Sequence, residues 1–477
     1  MAPPAMQSPG ELSGGARPHV MFIPSAGMGH LLPFFRFIAA LANHDVDISV
    51  VTVLPTVSAA EADHFARLFE AFPRVRRVDF HLLSLDASEF PDDDDPFCLR
   101  WEALRRSAHL LGPLIAGATP RVSAVITDVT LTSHVVPIAK ELHVPCHVLF
   151  ISCATMLSLL AYIRVHLDKK AEPGRGVGDV DIPGVRHIPQ SYLPQSLLDL
   201  SKLFTKQFID NGREIINADG CLVNTFEALE PVALAALRAG KVVPGFPPVY
   251  AIGPLKSHTS TANDKPETTS FPVAWLDEQP ARSVVYIAFG NRNTVSRDQL
   301  REIAAGLEAS SSRFLWVLKT TNVDRDDNAE LTDVLGDGFL ERVQGRGLVT
   351  KAWVDQEALL KHPSVGMFLS HSGWNSVTEA AAAGVPLLAW PRGGDHRVNA
   401  TVVVSGGVGV WMELWRWDGE EKLVSGEEIG EKVKEVMSNV AVRARATRTG
   451  EVAAMAVAEG GTSYRSLQEF VGKLKAT

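Results

Sequence analysis

A buried strand, a turn of small residues and a helix occur in succession at two places half a chain apart, and this recurrence constrains the fold most. Near the start, residues 19–24 read as an apolar strand, 25–29 as the turn and 31–41 as a helix with apolar periodicity. A β-branched strand at 46–54 completes a βαβ unit, and similar units are expected at 122–142 and 146–163. The rhythm restarts with a strand at 283–289, a turn at 290–294 and a helix at 297–308. Between the halves, residues 256–272 hold Ser, Thr, Asn, Lys and Pro with almost no apolar side chain, as a linker does. The pattern predicts an α/β protein of two facing Rossmann-like domains with parallel sheets and a ligand cleft between them. The expected boundaries are a disordered leader at 1–18, an N-terminal domain at 19–255, the linker at 256–272 and a C-terminal domain at 273–455. A terminal helix at 456–477 is expected to pack back on the N-terminal domain.

Charge and cysteine usage remove several functions. With 46 Lys+Arg against 55 Asp+Glu the net charge is -9, which repels polyanions, so nucleic acid is not an expected partner. Cys98, Cys146, Cys153 and Cys221 form no C-x-x-C pair, and His143 and His147 match no zinc spacing. No metal site and no disulfide framework is expected, and a reducing cytoplasm fits. The leader lacks the apolar core of a signal peptide. The greasiest stretch, 148–163, is broken by Ser152, Thr155 and Ser158 and is shorter than the roughly 20 residues a membrane span needs.

Three local patterns could carry chemistry. In 369–379, Ser376 and Glu379 have capping-box spacing after an apolar strand, predicting a helix N-terminus whose free N–H groups suit a diphosphate, with His371 and Asn375 beside it. A plain capped helix with His371 as a satisfied turn residue fits the spacing equally well. The turn Ser25-Ala26-Gly27-Met28-Gly29-His30 lacks the third glycine of a dinucleotide loop, and the strand after it supplies no acid for a ribose, so an NAD-linked reading fails. The run Asp92-Asp93-Asp94-Asp95 lies in a loop rather than after a strand, and reads as a solvated acidic loop and not a D-x-D metal site.

The segment 353–396 resembles, nearly position for position, the signature box of plant UDP-dependent glycosyltransferases. The matching residues are Trp353-Val354-Asp355-Gln356, His371-Ser372-Gly373-Trp374-Asn375-Ser376, Glu379, Gly384-Val385-Pro386, Trp390-Pro391 and Asp395. That resemblance implies the GT-B fold, with the acceptor on the N-terminal domain and the UDP-sugar, a co-substrate, on the C-terminal one. It implies that Trp353 stacks on uracil with Gln356 at its edge and Val354 nearby, and that Glu379 holds the ribose hydroxyls. His371, Asn375 and Ser376 would take the phosphates; Trp374, Asp395 and His396 would meet the sugar; Gly29, Gly290, Asn291 and Gly373 would complete the donor site. His30 would be the catalytic base and Asp128 its partner. A base is needed because a phenol with a pKa near about 10 is a poor nucleophile at neutral pH.

Asp95-Pro96-Phe97 is similar to a tripeptide of the C-glycosyltransferase subgroup from grasses and other plants, as are residues 23–30 and 181–185. The resemblance therefore implies an inverting, metal-independent C-glycosyltransferase acting on a flavonoid-type polyphenol, with Asp95, Phe97, Phe150 and Arg292 on the acceptor. Three positions depart from the family. His396 stands where relatives have glutamine, which favours UDP-arabinose or UDP-galactose over UDP-glucose. Asn291 replaces a serine, and Ser372 replaces a cysteine. Other readings are a phenolic O-glucosyltransferase using UDP-glucose and a UDP-sugar-binding protein without turnover. No cofactor and a monomer are expected.

Overall fold

The computed structural model describes residues 17–90, 96–170, 176–257, 272–290, 295–320, 329–415 and 423–476. Its first half is a seven-stranded parallel sheet made of β1 (His19–Ile23), β2 (Asp47–Leu54), β3 (Arg76–His81), β4 (Ala124–Asp128), β5 (Cys146–Phe150), β8 (Gly220–Val223) and β9 (Val249–Ala251). The excursion after β5 carries a small antiparallel hairpin, β6 (Val180–Ile182) with β7 (Arg186–Ile188). The second half is a six-stranded parallel sheet of β10 (Val284–Ala288), β11 (Arg313–Val317), β12 (Gly347–Thr350), β13 (Val365–Ser370), β14 (Leu387–Ala389) and β15 (Gly409–Trp411). Strands β1, β4, β5, β10 and β13 are buried along their whole length, as crossover helices on both faces require.

The strand order is β3-β2-β1-β4-β5-β8-β9 in the first sheet and β12-β11-β10-β13-β14-β15 in the second. Both orders reverse direction once, between β1 and β4 and between β10 and β13. At such a switch point the loops beyond the carboxyl ends part and leave a crevice. The helix Thr462–Ala476 returns to the first sheet, where Phe470 packs on Phe37, His147 and Tyr250 with ring centroids 5.0–6.0 Å apart.

Two helix starts differ from the sequence expectation. The first helix begins at Met28, not residue 31, because Gly27 takes φ 102 and its carbonyl already accepts from His30 and Leu31. Only glycine adopts that conformation cheaply, and a Cβ there would lie 3.1 Å from the Phe97 ring. The helix in the signature segment runs Trp374–Ala383 with Gly373 as its N-cap and no side-chain cap. Ser376 and Glu379 thus lie inside the helix and form no capping box, because the turn at Ser372 (φ 67) starts the helix earlier.

Of the sequence expectations, residues 1–16, Asp95 with the acidic run, 258–271 of the linker, Asn291 and Arg292 lie outside the described residues. No helix among the described residues is long and apolar enough to cross a membrane, and none of their His, Cys, Asp and Glu side chains group as a metal site. The four cysteines are buried and unpaired with one another.

Candidate functional site

The parallel pairing of β1 with β4, in which Ile23 faces Thr127, sets the turn after β1 beside the end of β4. That register joins His30 to Asp128: Nδ1 of the histidine lies 2.9 Å from Oδ2 of the carboxylate. Ser25 Oγ lies 3.2 Å from the same nitrogen. Asp128 is wholly buried, and its Oδ1 accepts from the backbone N–H of Thr130 at 2.8 Å and from the Thr130 hydroxyl at 2.7 Å. Burial alone would raise the carboxyl pKa, but the facing His30 and the donors from His30 and Thr130 outweigh it and hold it below the ordinary value. A carboxylate accepts only, so Nδ1 carries the proton and Nε2 is the basic nitrogen. His30 keeps 13% of its side chain exposed, and the Trp101 ring lies 5.0 Å from it. Phe97 continues this wall, 6.5 Å from Trp101. Phe97 and Trp101, 8% and 3% exposed, form their own small cluster beside the histidine, whereas Phe150 packs in the main core and not in that cluster.

Across the crevice the β10–β13 pairing, with Ala288 facing Ser370, brings Gly290 against His371. A Cβ at Gly290 would lie 2.8 Å from the imidazole Nε2, and one at Gly373 would lie 2.5 Å from it, so the ring has room only between two glycines. Desolvation, with His396 and Arg392 beside it, drives the His371 pKa well below the ordinary value, and the ring is neutral at physiological pH. The helix Trp374–Ala383 starts here, and its first N–H groups have no acceptor within the helix.

This helix start meets the first domain through a proline. Pro33 cannot donate to the carbonyl four residues back, which is Gly29, and Asn375 Nδ2 supplies that bond instead at 3.2 Å. The sequence expectation for Gly29 and Asn375 brings them together, but as partners of each other. Trp374 is 4% exposed, and its indole N–H donates to the Asn224 carbonyl at 2.9 Å. Its ring is a domain-interface anchor, so only its backbone N–H remains for a ligand.

Trp353 is 53% exposed, with the His64 ring 5.3 Å away at an edge, so it is no core aromatic and presents an open face. Val354 packs against the core beside it. Gln356 Nε2 donates to Glu379 Oε2 at 2.7 Å and to Ser376 Oγ at 3.1 Å, tying three of the expected donor residues together. At the far end Asp395 accepts from Ser152 of the first domain and from Asn399 Nδ2 at 2.9 Å. His396 opens the helix His396–Ser405, and its Nδ1 accepts from the Gly393 N–H at 3.2 Å, which places the ring proton on Nε2. The His371 and His396 rings meet edge to face at 4.8 Å. A cavity of about 580 Å³ opens beside this loop, walled by Gln190, Ser191 and Gln195 from one domain and Gly393, Gly394 and Arg397 from the other.

Trp101, Ser152 and Asn399 join the site without a sequence signal of their own, and Ser25 joins it from the turn at 25–30. Trp101 reaches His30, and Ser152 reaches Asp395 and Asn399, from far along the chain. The arrangement pairs an oriented imidazole base in an aromatic wall with an exposed tryptophan, a fixed carboxylate and an uncapped helix start opposite. It can deprotonate a phenol at one side of the crevice while holding an anionic leaving group at the other.

Comparison with known proteins matches residues 242–445 to the family described as UDP-glucoronosyl and UDP-glucosyl transferase. The chain is 59% identical over 466 residues to a rice protein (Oryza sativa subsp. indica) named UDP-glycosyltransferase CGT, covering 98% of each chain. It is 55% identical to UDP-glycosyltransferase 708A6 of Zea mays, covering 96% of this chain and 97% of that one. Among solved structures, LpCGTa in complex with UDP superposes with a TM-score of 0.84 at 47% identity, covering 96% of this chain and 99% of that one.

Proposed function

The chain belongs to the UDP-dependent glycosyltransferase family and is an inverting enzyme of the GT-B fold, and we propose that it moves a sugar from UDP onto a ring carbon of a flavonoid-type polyphenol. A 2-hydroxyflavanone, a dihydrochalcone or a flavone C-glycoside has the chemistry required. The observation that carries this reading is the hydrogen bond of His30 Nδ1 to the buried Asp128 carboxylate, set beside Phe97 and Trp101. His30 Nε2 takes the phenolic proton, and the negative charge spreads to the ring carbon ortho to the oxygen. That carbon attacks the anomeric carbon in line, the bond from the anomeric carbon to the phosphate oxygen breaks, and UDP departs. The ring carbon then gives up its own proton to water, the imidazolium returns the phenolic proton to the oxygen, and aromaticity returns. The anomeric configuration inverts in the single displacement.

His371, Gly373, Asn375 and Ser376 form the phosphate side, where the helix start offers N–H donors without a metal. Trp353 and Gln356 receive the uracil, Glu379 the ribose. Carbon rather than oxygen attack is supported by the CGT names of relatives and by the grass-type segments at 95–97 and 181–185. His396, with its Nε2–H directed by the Gly393 bond, favours a donor with an axial C4 hydroxyl, UDP-arabinose or UDP-galactose. The protein acts as a cytoplasmic monomer without cofactor.

The assay is a competition among equimolar UDP-glucose, UDP-galactose, UDP-arabinose and UDP-xylose with a 2-hydroxyflavanone or a flavone C-glycoside. The expected product co-elutes with the arabinosyl or galactosyl standard, since mass alone tells pentose from hexose but not isomers within either, and it survives hot acid, as a C–C bond does. An acid-labile product would replace carbon transfer by oxygen transfer, and a product co-eluting with the glucosyl standard would remove the donor role given to His396.

A further inference from the structure

Arg36 lies on the helix Met28–Ala42, six residues after His30, and is 7% exposed. A buried guanidinium persists only when paired. Its Nη2 donates to Glu379 Oε1 in the second domain and lies 3.8 Å from Glu357 Oε2. Burial works against the Arg36 charge, yet Glu379, Glu357 and Asp355 outweigh it and raise the pKa above the ordinary arginine value. Its Nε and Nη1 are also buried and meet no acceptor among the described residues. Glu379 is thus gripped on one oxygen by the first domain and on the other by Gln356 of its own domain.

A carboxylate oxygen has two acceptor directions, so each Glu379 oxygen keeps one for a ligand hydroxyl. The Arg36 Nη2 bond to Oε1 sets which way those directions point. Stability alone gives no reason for the buried pair, since apolar residues of similar volume often serve as well without buried charge.

We propose that Arg36 is a positioning residue of the nucleotide site, completing the ribose cradle by fixing Glu379 from the opposite domain. Nucleotide recognition is then finished only when the two domains are in contact. The proposal rests on the reading that Glu379 accepts the ribose hydroxyls. Arg36→Lys keeps the charge but not the planar fork that spans several acceptors. Arg36→Met combined with Glu379→Gln removes both charges of the pair and keeps the volume, and Glu357 retains Lys361 as its partner.

The test is titration calorimetry with UDP and 2′-deoxyuridine diphosphate on the unmodified protein and on Glu379→Gln, Arg36→Lys and the combined variant. The unmodified protein should prefer UDP by about tenfold or more, as a buried group left without its hydroxyl partner demands. Arg36→Lys should cut that preference to less than about threefold while kcat at saturating donor and the acceptor KM stay within about twofold. The combined variant should bind UDP within about twofold of Glu379→Gln alone, because Arg36 acts through the carboxylate. Retained preference in Arg36→Lys, additive losses in the combined variant, or a fall in kcat as large as the change in KM would overturn the role of Arg36 alone. Retained preference in Glu379→Gln would overturn that role together with the reading of Glu379.

Discussion

His30→Ala is expected to slow transfer at pH 7 by about a thousandfold while UDP binds as before. The figure follows from the acceptor: a phenol with pKa near about 10 is ionised in only about one molecule in a thousand at pH 7, and the base makes up that shortfall. The sign of the pH response discriminates further. Without the imidazole, the rate must rise about tenfold per pH unit as the phenol ionises by itself, until its pKa is reached. Steady-state transfer from pH 6 to 10, with UDP affinity measured beside it, checks both. A variant that loses less than about tenfold, or whose rate stays flat with pH, would show that another group removes the proton.

Asp128→Asn should cost nearly as much, about 10²–10⁴ in kcat, although it exchanges a single oxygen for nitrogen. The reason lies with Thr130. Its N–H and hydroxyl both donate to Oδ1, so the carboxamide must place its carbonyl oxygen there and turn its NH2 toward His30. Facing a donor, Nδ1 can only accept, and the ring proton moves to Nε2, the nitrogen that has to act as base. The variant should fold, bind UDP and stay inactive, and the histidine proton assignment by nitrogen NMR should invert. Activity within about tenfold of the unmodified protein would reduce Asp128 to a packing partner.

Those two residues were legible in the sequence, and the way they became so is instructive. The strand ends at 19–24 and 124–128 could be read from apolar runs, and parallel neighbours put strand ends side by side. Their pairing needed the family resemblance, because nothing in a linear pattern says that β4 rather than β2 carries the partner of His30. The second sheet was legible for the same reason, together with the positions of His371, Gln356 and Glu379.

What could not be read was how side chains from different halves meet. Ser376 and Glu379 have the spacing of a capping box, yet backbone geometry at Ser372 and Gly373 starts the helix earlier and frees both for other partners. No pattern in the sequence marks Arg36, a charged side chain in a largely apolar helix, and its role shows only where the second domain closes over it. Pro33 reads as a helix flaw, and its consequence, a Gly29 carbonyl left for Asn375, appears only across the crevice. Trp374 and Trp353 are alike in sequence terms, and burial against Asn224 in one case and open exposure in the other separates an interface anchor from a stacking face. Tertiary contacts between domains carry no local period, so each of these lay beyond pattern reading.

The account stands on a uridine cradle formed by residues 353–396 opposite the His30 imidazole, and a crystal of the protein soaked in UDP tests it most directly. The predicted density has uracil on the exposed face of Trp353, the ribose at Glu379 and the diphosphate at the start of the helix Trp374–Ala383. A nucleotide bound elsewhere, or a diphosphate away from that helix start, would contradict the account.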